Sequence, residues 1–346
     1  IKLIMAYTTI KKPSDYFNTK LYTGDGGTQS VTGVGFEPSM TWLKNRDTGN
    51  DHELFDAIRG ATKTIYPNRN DAEYTNASGS LTSFNSDGFS VGSGDGANKS
   101  GSGIASWNWK ANGAGSANTD GATASTVSAN TTSGFSIVKY TGTGSQTTIG
   151  HGLGITPKMI IVKRLQNAED FAVYHASNGA GTYQSLNTTE AKQTNANRFN
   201  VAPTSSVFTV NTHESVNFAE NYIAYCFAEK QGYSKFGSYV GNGNADGTFV
   251  YTGFKSSFIM SKSYTNTEQW IMKDVARDTF NPVEKNLSAS SASSEAGWGT
   301  AYDIDILSNG FKMRDASGQT NGNGYGFIYM AFAEEPLVGD NPATAR

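Results

Sequence analysis

The sequence contains little cysteine and little charge. Cys226 is the one cysteine among 346 residues, so the chain has no intrachain disulfide framework. Charged residues make up 16% of the chain, whereas about a quarter is usual for soluble domains. The net charge is −3 and no run of Lys or Arg occurs, which argues against binding to nucleic acid. Stability must therefore come from packing or from assembly.

The sequence also lacks a long apolar run. No stretch approaches the roughly 20 apolar residues of a membrane span, so we expect no membrane insertion. Residues 1–10 are too short and too polar for a signal peptide, and Met5 is a candidate translation start. We expect synthesis in the cytoplasm of the producing cell and release by a route such as lysis.

Glycine and aromatic residues are abundant instead, with 39 Gly, 17 Tyr and 19 Phe. Together with many Ser, Thr and Asn residues, this composition is typical of β-sandwiches with long polar loops. A disordered chain would lack the aromatic residues.

One sequence pattern occurs three times. It starts with Tyr-x-Gly, continues with a glycine-hydrophobic corner and ends in an apolar strand that finishes on lysine. The tyrosine and the lysine are 22, 23 and 23 residues apart in the three copies, and an aromatic alternating segment closes each copy. The pairs are Tyr22–Lys44, Tyr140–Lys163 and Tyr239–Lys262.

The apolar segments predict strands and no long helix. They alternate with period 2, or they are short apolar runs bounded by Gly, Pro, Asn or Asp. The sequence therefore predicts an all-β protein of three tandem antiparallel β-sandwich repeats, jelly-roll or lectin-like, with the strand order left open. The predicted divisions are an N-terminal arm 1–18, repeat 1 at 19–111, a linker 112–133, repeat 2 at 134–230, repeat 3 at 231–335 and a C-terminal tail 336–346.

The connections between the repeats differ in length. The Gly/Ser/Thr/Ala composition of 112–133 predicts a flexible or surface-laid linker. Repeats 2 and 3 are joined by the short segment 231–233. We therefore expect repeats 2 and 3 to pack rigidly together and repeat 1 to lie more independently.

The sequence shows no recognisable catalytic motif, and we assign no catalytic residue, no metal site and no cofactor. Cys226 lies in an alternating strand and is expected in the core. Asp303 and Asp305 are a candidate pair for glycoside hydrolysis, which we interpret as a solvated strand face. The histidines, which form no metal-binding motif, are His52, His151, His175 and His213. The aspartates in glycine-rich loops, which are candidates for Ca²⁺ binding, are Asp95, Asp120 and Asp246.

The repeated lysines, Lys44, Lys163 and Lys262, have an ordinary interpretation. A lysine at the end of a strand usually lies along the sheet and keeps its ammonium group in water. We expect that arrangement here, with a ligand or subunit contact as the alternative.

Two groups of residues are candidates for binding. Aromatic residues near polar loops suit sugar rings and protein interfaces alike. These aromatic residues are Tyr74, Tyr183, Tyr264, Trp298 and Tyr302. The arm is a candidate anchor on a neighbouring chain, with Tyr7, Pro13, Tyr16 and Phe17 as its contact residues.

Five segments resemble a known group of proteins. Residues 6–17 resemble the start of virion proteins of marine tailed phages and cyanophages, and 36–46, 54–60, 81–89 and 328–334 are similar to the repeated unit of those proteins. The resemblance covers almost the whole chain and is strongest in repeats 1 and 3.

The resemblance implies a non-enzymatic virion structural protein, made late in infection, with lectin-like folds. We expect a tail fibre or fibre-like appendage that contacts the host surface. Its partners would be other virion proteins, identical chains in a homotrimer, and a host surface glycan. The alternatives are a capsid decoration or cement protein, a free carbohydrate-binding module array and a glycan depolymerase.

Overall fold

The computed structural model describes residues 7–295, 301–338 and 342–344. Within these ranges the chain is all-β, which confirms the predicted fold class. The helices there are the 3₁₀ turn Pro13–Asp15 and the single turn α1, Asp95–Asn98. No helix in the described part of the chain has the length and apolarity to cross a membrane.

Unit 1, as we call residues 7–111, contains nine strands. They are β1 Phe17–Thr23, β2 Gln29–Thr32, β3 Met40–Asn45, β4 Glu53–Asp56, β5 Lys63–Thr64, β6 Tyr74–Thr75, β7 Leu81–Asn85, β8 Gly88–Val91 and β9 Gly103–Trp109. The larger sheet has the order β1-β9-β3-β4, and a smaller sheet has the order β2-β8-β7. Strands β5 and β6 pair with each other beside β4.

Unit 2, residues 112–230, contains ten strands. They are β10 Ser116–Asn118, β11 Ser125–Asn130, β12 Phe135–Thr141, β13 Thr147–Gly150, β14 Met159–Arg164, β15 Ala172–His175, β16 Thr182–Ser185, β17 Gln193–Thr194, β18 Val207–Val210 and β19 Asn221–Phe227. The larger sheet runs β10-β11-β12-β19-β14-β15-β16-β17, and β13 pairs with β18 in the smaller one.

Unit 3, residues 231–338, contains eight strands in its described part. They are β20 Ser234–Val240, β21 Phe249–Tyr251, β22 Phe254–Ser263, β23 Ile271–Asp274, β24 Leu287–Ser288, β25 Ile304–Leu307, β26 Gly310–Met313 and β27 Gly326–Pro336. The larger sheet runs β20-β27-β22-β23-β24, and the smaller one runs β21-β26-β25.

The same antiparallel strand order occurs in all three larger sheets. It is β1-β9-β3-β4 in unit 1, β12-β19-β14-β15 in unit 2 and β20-β27-β22-β23 in unit 3. The register agrees as well, which allows residues of the three units to be matched one to one. The matched cross-strand pairs are Met40–Trp109, Met159–Phe227 and Phe258–Phe332.

The three larger sheets share one central core. Because side chains alternate between the faces of a strand, β14 directs Ile160 into the core of unit 2 and Ile161 into the central core. The three matched aromatic residues Trp109, Phe227 and Phe332 contact one another at the centre, with ring centroids 5.8 to 6.4 Å apart. The units are therefore arranged around a common axis.

The expected independence of unit 1 is wrong, because its apolar face is buried against both other units. The segment 112–133, expected to be a linker, contains β10 and β11, and β11 pairs with β12 along its whole length. Asn130 starts the connecting turn, where its Oδ1 accepts hydrogen bonds from Thr132 N and Ser133 N. Small polar residues thus form a strand here because β12 supplies the pairing edge.

Candidate functional site

The three repeated lysines hold the units together. Each is fully buried and donates a hydrogen bond from Nζ to a backbone carbonyl in a loop of another unit. Unit 1 bonds to unit 3, unit 2 to unit 1, and unit 3 to unit 2, so the contacts close into a ring. The bonds are Lys44 to Ala292 O (3.1 Å), Lys163 to Asn70 O (3.2 Å) and Lys262 to Thr189 O (3.1 Å).

The expectation that these ammonium groups lie in water is wrong. Lys44 Nζ also donates to the carbonyls of Asn45, Thr48 and Asn50 at 2.7 to 3.1 Å. Burial lowers the pKa of each of the three lysines to about 8. The carbonyl cage offsets part of the cost of desolvating the charge.

The same three loops are attached a second time through their backbones. Each loop donates one N–H to the residue that lies two positions after the lysine. We call the loops 66–74, 187–193 and 290–295 the docking loops. The backbone bonds are Glu73 N to Leu165 O (2.8 Å), Lys192 N to Tyr264 O (3.1 Å) and Glu295 N to Arg46 O (2.7 Å).

A third set of bonds links the matched strand ends of β4, β15 and β23. Tyr225 of unit 2 donates to Asp56 of unit 1 (2.7 Å), and Trp107 of unit 1 donates to Asp274 of unit 3 (3.1 Å). In unit 2 the matched residue is His175, whose Nε2 lies 3.2 Å from Tyr329 O. Burial lowers the pKa of His175 to about 4, so the imidazole is neutral near pH 7.

The carboxylates of that set are themselves paired. Arg59 binds Asp56 and Arg277 binds Asp274, each with 2.5 Å between Nε and Oδ2 in a fully buried pair. Coulombic attraction to Asp56 helps to raise the pKa of Arg59 against the opposing effect of burial. A buried ion pair of this kind strongly penalises the loss of either partner.

Sequence reasoning missed a set of buried asparagines. They bind the loops that follow the Tyr-x-Gly signals, as when Asn217 Oδ1 accepts from Thr143 N (2.7 Å) and its Nδ2 donates to Ser145 O (2.6 Å). The tight approach explains the glycine of the signal, since a Cβ on Gly142 would lie 2.1 Å from Phe218 O. The matched asparagines are Asn98, Asn217 and Asn321.

The first docking loop borders a surface cleft of about 410 Å³. The guanidinium of Arg69 lies over the ring of Tyr66, 5.5 Å from its centroid. The same guanidinium pairs with Asp51 (2.8 Å) and Asp71 (2.5 Å). The lining residues are Tyr66, Arg69, Asp71, Ala72, Glu73 and Tyr74.

The cleft combines aromatic faces with polar groups that a rigid body positions. Tyr74 is 55% exposed and is held opposite Thr64 by the pairing of β5 and β6. Burial raises the pKa of Tyr66 to about 12, so its hydroxyl stays neutral. The exposed ring of Tyr74 can stack on a sugar ring, and the nearby carboxylates and guanidinium can hydrogen-bond the hydroxyls of that sugar.

The other predicted aromatic residues lie elsewhere, so the structure does not bring the predicted set together. The guanidinium of Arg198 covers the ring of Tyr183 at 3.6 Å, and the amino group of Lys192 lies 5.2 Å from the ring of Tyr264. Tyr302 is partly buried and has φ of 74°. Trp298 lies outside the described residues, as does Met5.

The N-terminal arm packs on its own chain. Phe17 lies in the central core, Pro13 is buried, and Tyr16 packs edge-on against Tyr233. Tyr7 donates from its hydroxyl to Gly253 O of unit 3 (2.7 Å). In this conformation the side chains of Pro13 and Phe17 are therefore not available to a neighbouring chain.

The residues considered for catalysis or metal binding do not form a metal site among the described residues. Asp303 is buried, which raises its pKa, whereas Asp305 lies 3.4 Å from Arg314 Nε. Cys226 lies in the core of unit 2, as predicted, and burial raises the pKa of its thiol. In the described ranges no three His, Cys, Asp or Glu side chains are grouped to hold a metal ion.

The aspartates named as candidates for Ca²⁺ lie in separate loops. Asp95 opens α1, Asp120 accepts a hydrogen bond from Asn118 Nδ2 (2.8 Å), and Asp246 pairs with Lys312.

The fold and the cleft define an all-β protein whose three units share one hydrophobic core and which carries a surface cleft lined in part by tyrosines. The chain belongs to the family described as domain of unknown function DUF7483, whose model matches residues 12–336. No curated protein and no solved structure matches the chain.

Proposed function

We propose that the chain is a non-enzymatic virion structural protein of a tailed phage, a tail fibre or fibre-like appendage that contacts the host surface. The observation that carries the proposal is the exposed cleft of Tyr66, Arg69 and Tyr74 on a body whose three units are locked by buried contacts. A rigid body keeps the cost of ordering low when weak contacts form. The proposal also rests on the resemblance of the quoted segments to phage virion proteins.

We propose further that the three units are divergent copies of one β-sandwich of jelly-roll or lectin-like type. The recurring strand order, the buried lysine and the buried asparagine support this reading. So do the matched tyrosines, each of which donates to the backbone carbonyl of the residue immediately before its asparagine. The bonds are Tyr22 to Ala97 O (2.6 Å), Tyr140 to Val216 O (2.6 Å) and Tyr239 to Thr320 O (2.7 Å).

The second candidate is a capsid decoration or cement protein. The closed ring of three similar units favours it, because a partner surface with threefold symmetry would meet three similar faces of one chain. In the fibre reading, identical chains assemble as a homotrimer and gain affinity by multivalency.

Copy number separates the two candidates. We expect the fibre to occur in a small multiple of three or six per particle, measured by quantitative mass spectrometry of purified virions, and to form a stable trimer by light scattering. Hundreds of copies per particle, or a monomer in solution, would contradict the fibre proposal and favour the decoration protein. Absence from particles would contradict both and favour a free carbohydrate-binding module.

The cleft makes the host-contact proposal testable. In the variant Tyr66→Ala/Tyr74→Ala, binding of the purified chain to host cells should weaken by about tenfold or more. Each aromatic contact contributes about 0.5 to 1.5 kcal/mol beyond the area that it buries, and the variant removes two rings. The matched control is Phe280→Ala, which removes a ring that is 78% exposed in unit 3. Equal binding of both variants would rule out this cleft as the contact site, and cleavage of host polysaccharide would point to a depolymerase.

A further inference from the structure

Unit 1 leaves a sheet edge open where unit 2 covers the matching edge. In unit 2, β11 pairs with β12 along its whole length. Strand β1 matches β12, because Phe17 faces Trp109 as Phe135 faces Phe227. Among the residues that the structure describes, no strand pairs with the outer side of β1.

The open edge presents a defined set of backbone groups. Lys110 N donates to Tyr16 O and Gly24 N donates to Ser102 O, so the even-numbered residues of β1 bond to β9. In an antiparallel ladder, alternate residues direct their N–H and C=O groups to opposite sides. The outward groups therefore belong to Phe17, Thr19 and Leu21. An exposed row of this kind is a template for another strand.

A groove of about 310 Å³ runs beside this edge, between units 1 and 3. Thr19 lines it, and its Oγ1 is buried with no hydrogen-bond partner. The residues that match Thr19 in units 2 and 3 are Ile137 and Phe236, and both belong to the central core. Unit 1 therefore carries a polar atom without a partner at a position that is apolar in the other two units.

The far wall of the groove is a turn of unit 3 that has a counterpart in unit 1. Val275 N bonds to Ser257 O as Ala57 N bonds to Ser39 O, and both Val275 and Ser257 line the groove. At the corresponding place between units 1 and 2, the space next to the edge of β12 is filled by β11.

The contacts of β11 show how such a groove is filled. Ser128 of β11 lies opposite Ile137 and is fully buried, and its Oγ accepts a hydrogen bond from Asn112 N (2.8 Å). Gly113, the next residue, donates to Ser39 Oγ (3.4 Å). A segment of small and hydroxyl-bearing side chains therefore fits between the edge of one unit and the turn of another.

We propose that the groove between β1 and the Ser257 turn binds an extended segment of a partner protein, which adds to unit 1 as a strand next to β1. The main-chain bonds would involve Phe17, Thr19 and Leu21, as in other cases of strand addition. The segment carries small side chains, alternating Ser, Thr, Ala and Val like β11, and a Ser or Thr opposite Thr19. That hydroxyl supplies the missing partner of Thr19 Oγ1.

A peptide taken from this chain tests the proposal on the intact protein. The probe is a synthetic peptide with the sequence of residues 124–130, Ala-Ser-Thr-Val-Ser-Ala-Asn. In the free protein, the amides of Phe17, Thr19 and Leu21 should exchange with solvent quickly, while those of Asn18 and Lys20 are protected by β9. Saturating peptide should slow the first set by about tenfold or more, as measured by NMR.

Two variants separate strand addition from general adhesion. Thr19→Pro removes an outward N–H and leaves the bonds to β9 intact, so peptide binding should be lost while the circular dichroism spectrum is unchanged. Ser238→Pro removes an outward N–H from β20, the matched edge of unit 3, and should bind the peptide as the parent chain does. Leu21→Pro is the second test variant if Thr19→Pro folds poorly.

Two results would overturn the proposal. Protection of Phe17, Thr19 and Leu21 in the free protein would mean that the chain covers this edge itself. Equal peptide binding by Thr19→Pro, or by Leu21→Pro, and Ser238→Pro would mean that the peptide does not pair with β1.

Discussion

Single residues carry the contacts between units, and their chemistry was only partly readable in the sequence. The recurrence of Lys44, Lys163 and Lys262 was evident, but their role was not, because a lysine at the end of a strand is solvated unless another unit covers it. The buried asparagine of each unit was hidden by loops of different length. A usable signal exists, since each asparagine lies shortly before the last long strand of its unit.

His175 predicts a pH dependence of stability. Its folded-state pKa of about 4 lies below the ordinary value of 6.5. Between these two pH values the unfolded chain binds a proton that the folded chain does not, so stability is lost as the pH falls. Over this window His175 should account for a loss of about 3 kcal/mol in the free energy of unfolding.

Variants isolate this contribution. In His175→Gln, denaturant titrations at pH 6.5 and pH 4 should show a smaller loss of unfolding free energy than in the parent chain. His213→Gln, which changes a half-buried loop histidine, is the matched control and should keep most of the loss. An unchanged loss in His175→Gln would show that His175 is not the group that titrates.

The sequence predicted the strands in which apolar residues alternate. It did not predict the strands that form only because a neighbouring strand offers an edge for pairing. The aromatic segments near the end of each unit form β9, β19 and β27 as predicted. β11 was missed because the segment 112–133 has almost no large apolar residue and therefore shows no alternating apolar pattern. The edge of β12 determines its conformation. The docking loops also have no sequence signal. Most of their hydrogen bonds to the other units involve backbone groups, which every residue type carries.

The docking loop of unit 3 gives a prediction at this scale. Lys44→Met keeps the buried volume of the side chain but leaves the carbonyls of the cage, including Ala292 O, without a donor. The free energy of unfolding should fall by about 2 to 3 kcal/mol, measured by chemical denaturation. The amide of Glu295, which bonds to Arg46 O, should exchange faster.

The matched control is Lys139→Met on β12, a partly exposed lysine, which should change stability by no more than about 0.5 kcal/mol. A Lys44→Met chain as stable as this control would contradict the role of the lysine in holding the loop.

The whole molecule shows what the repeat pattern alone did not reveal. The repeat predicted three similar units, but not that their larger sheets share one core. The apolar run Met159-Ile160-Ile161-Val162 already indicated a strand buried on both faces, because an exposed sheet would show polar residues at alternate positions. The segment 112–133 concealed the shared core, because its Gly/Ser/Thr/Ala composition suggested a free linker between units 1 and 2.

The measurement that tests the shared core most directly is hydrogen exchange of the intact chain at increasing denaturant. The slowest amides of β9, β19 and β27, one strand from each unit, should report the same opening free energy and the same denaturant dependence, because all three units open together. A clearly lower opening free energy for β9 than for β19 and β27 would mean that unit 1 unfolds by itself, and it would contradict the closed ring around a common core.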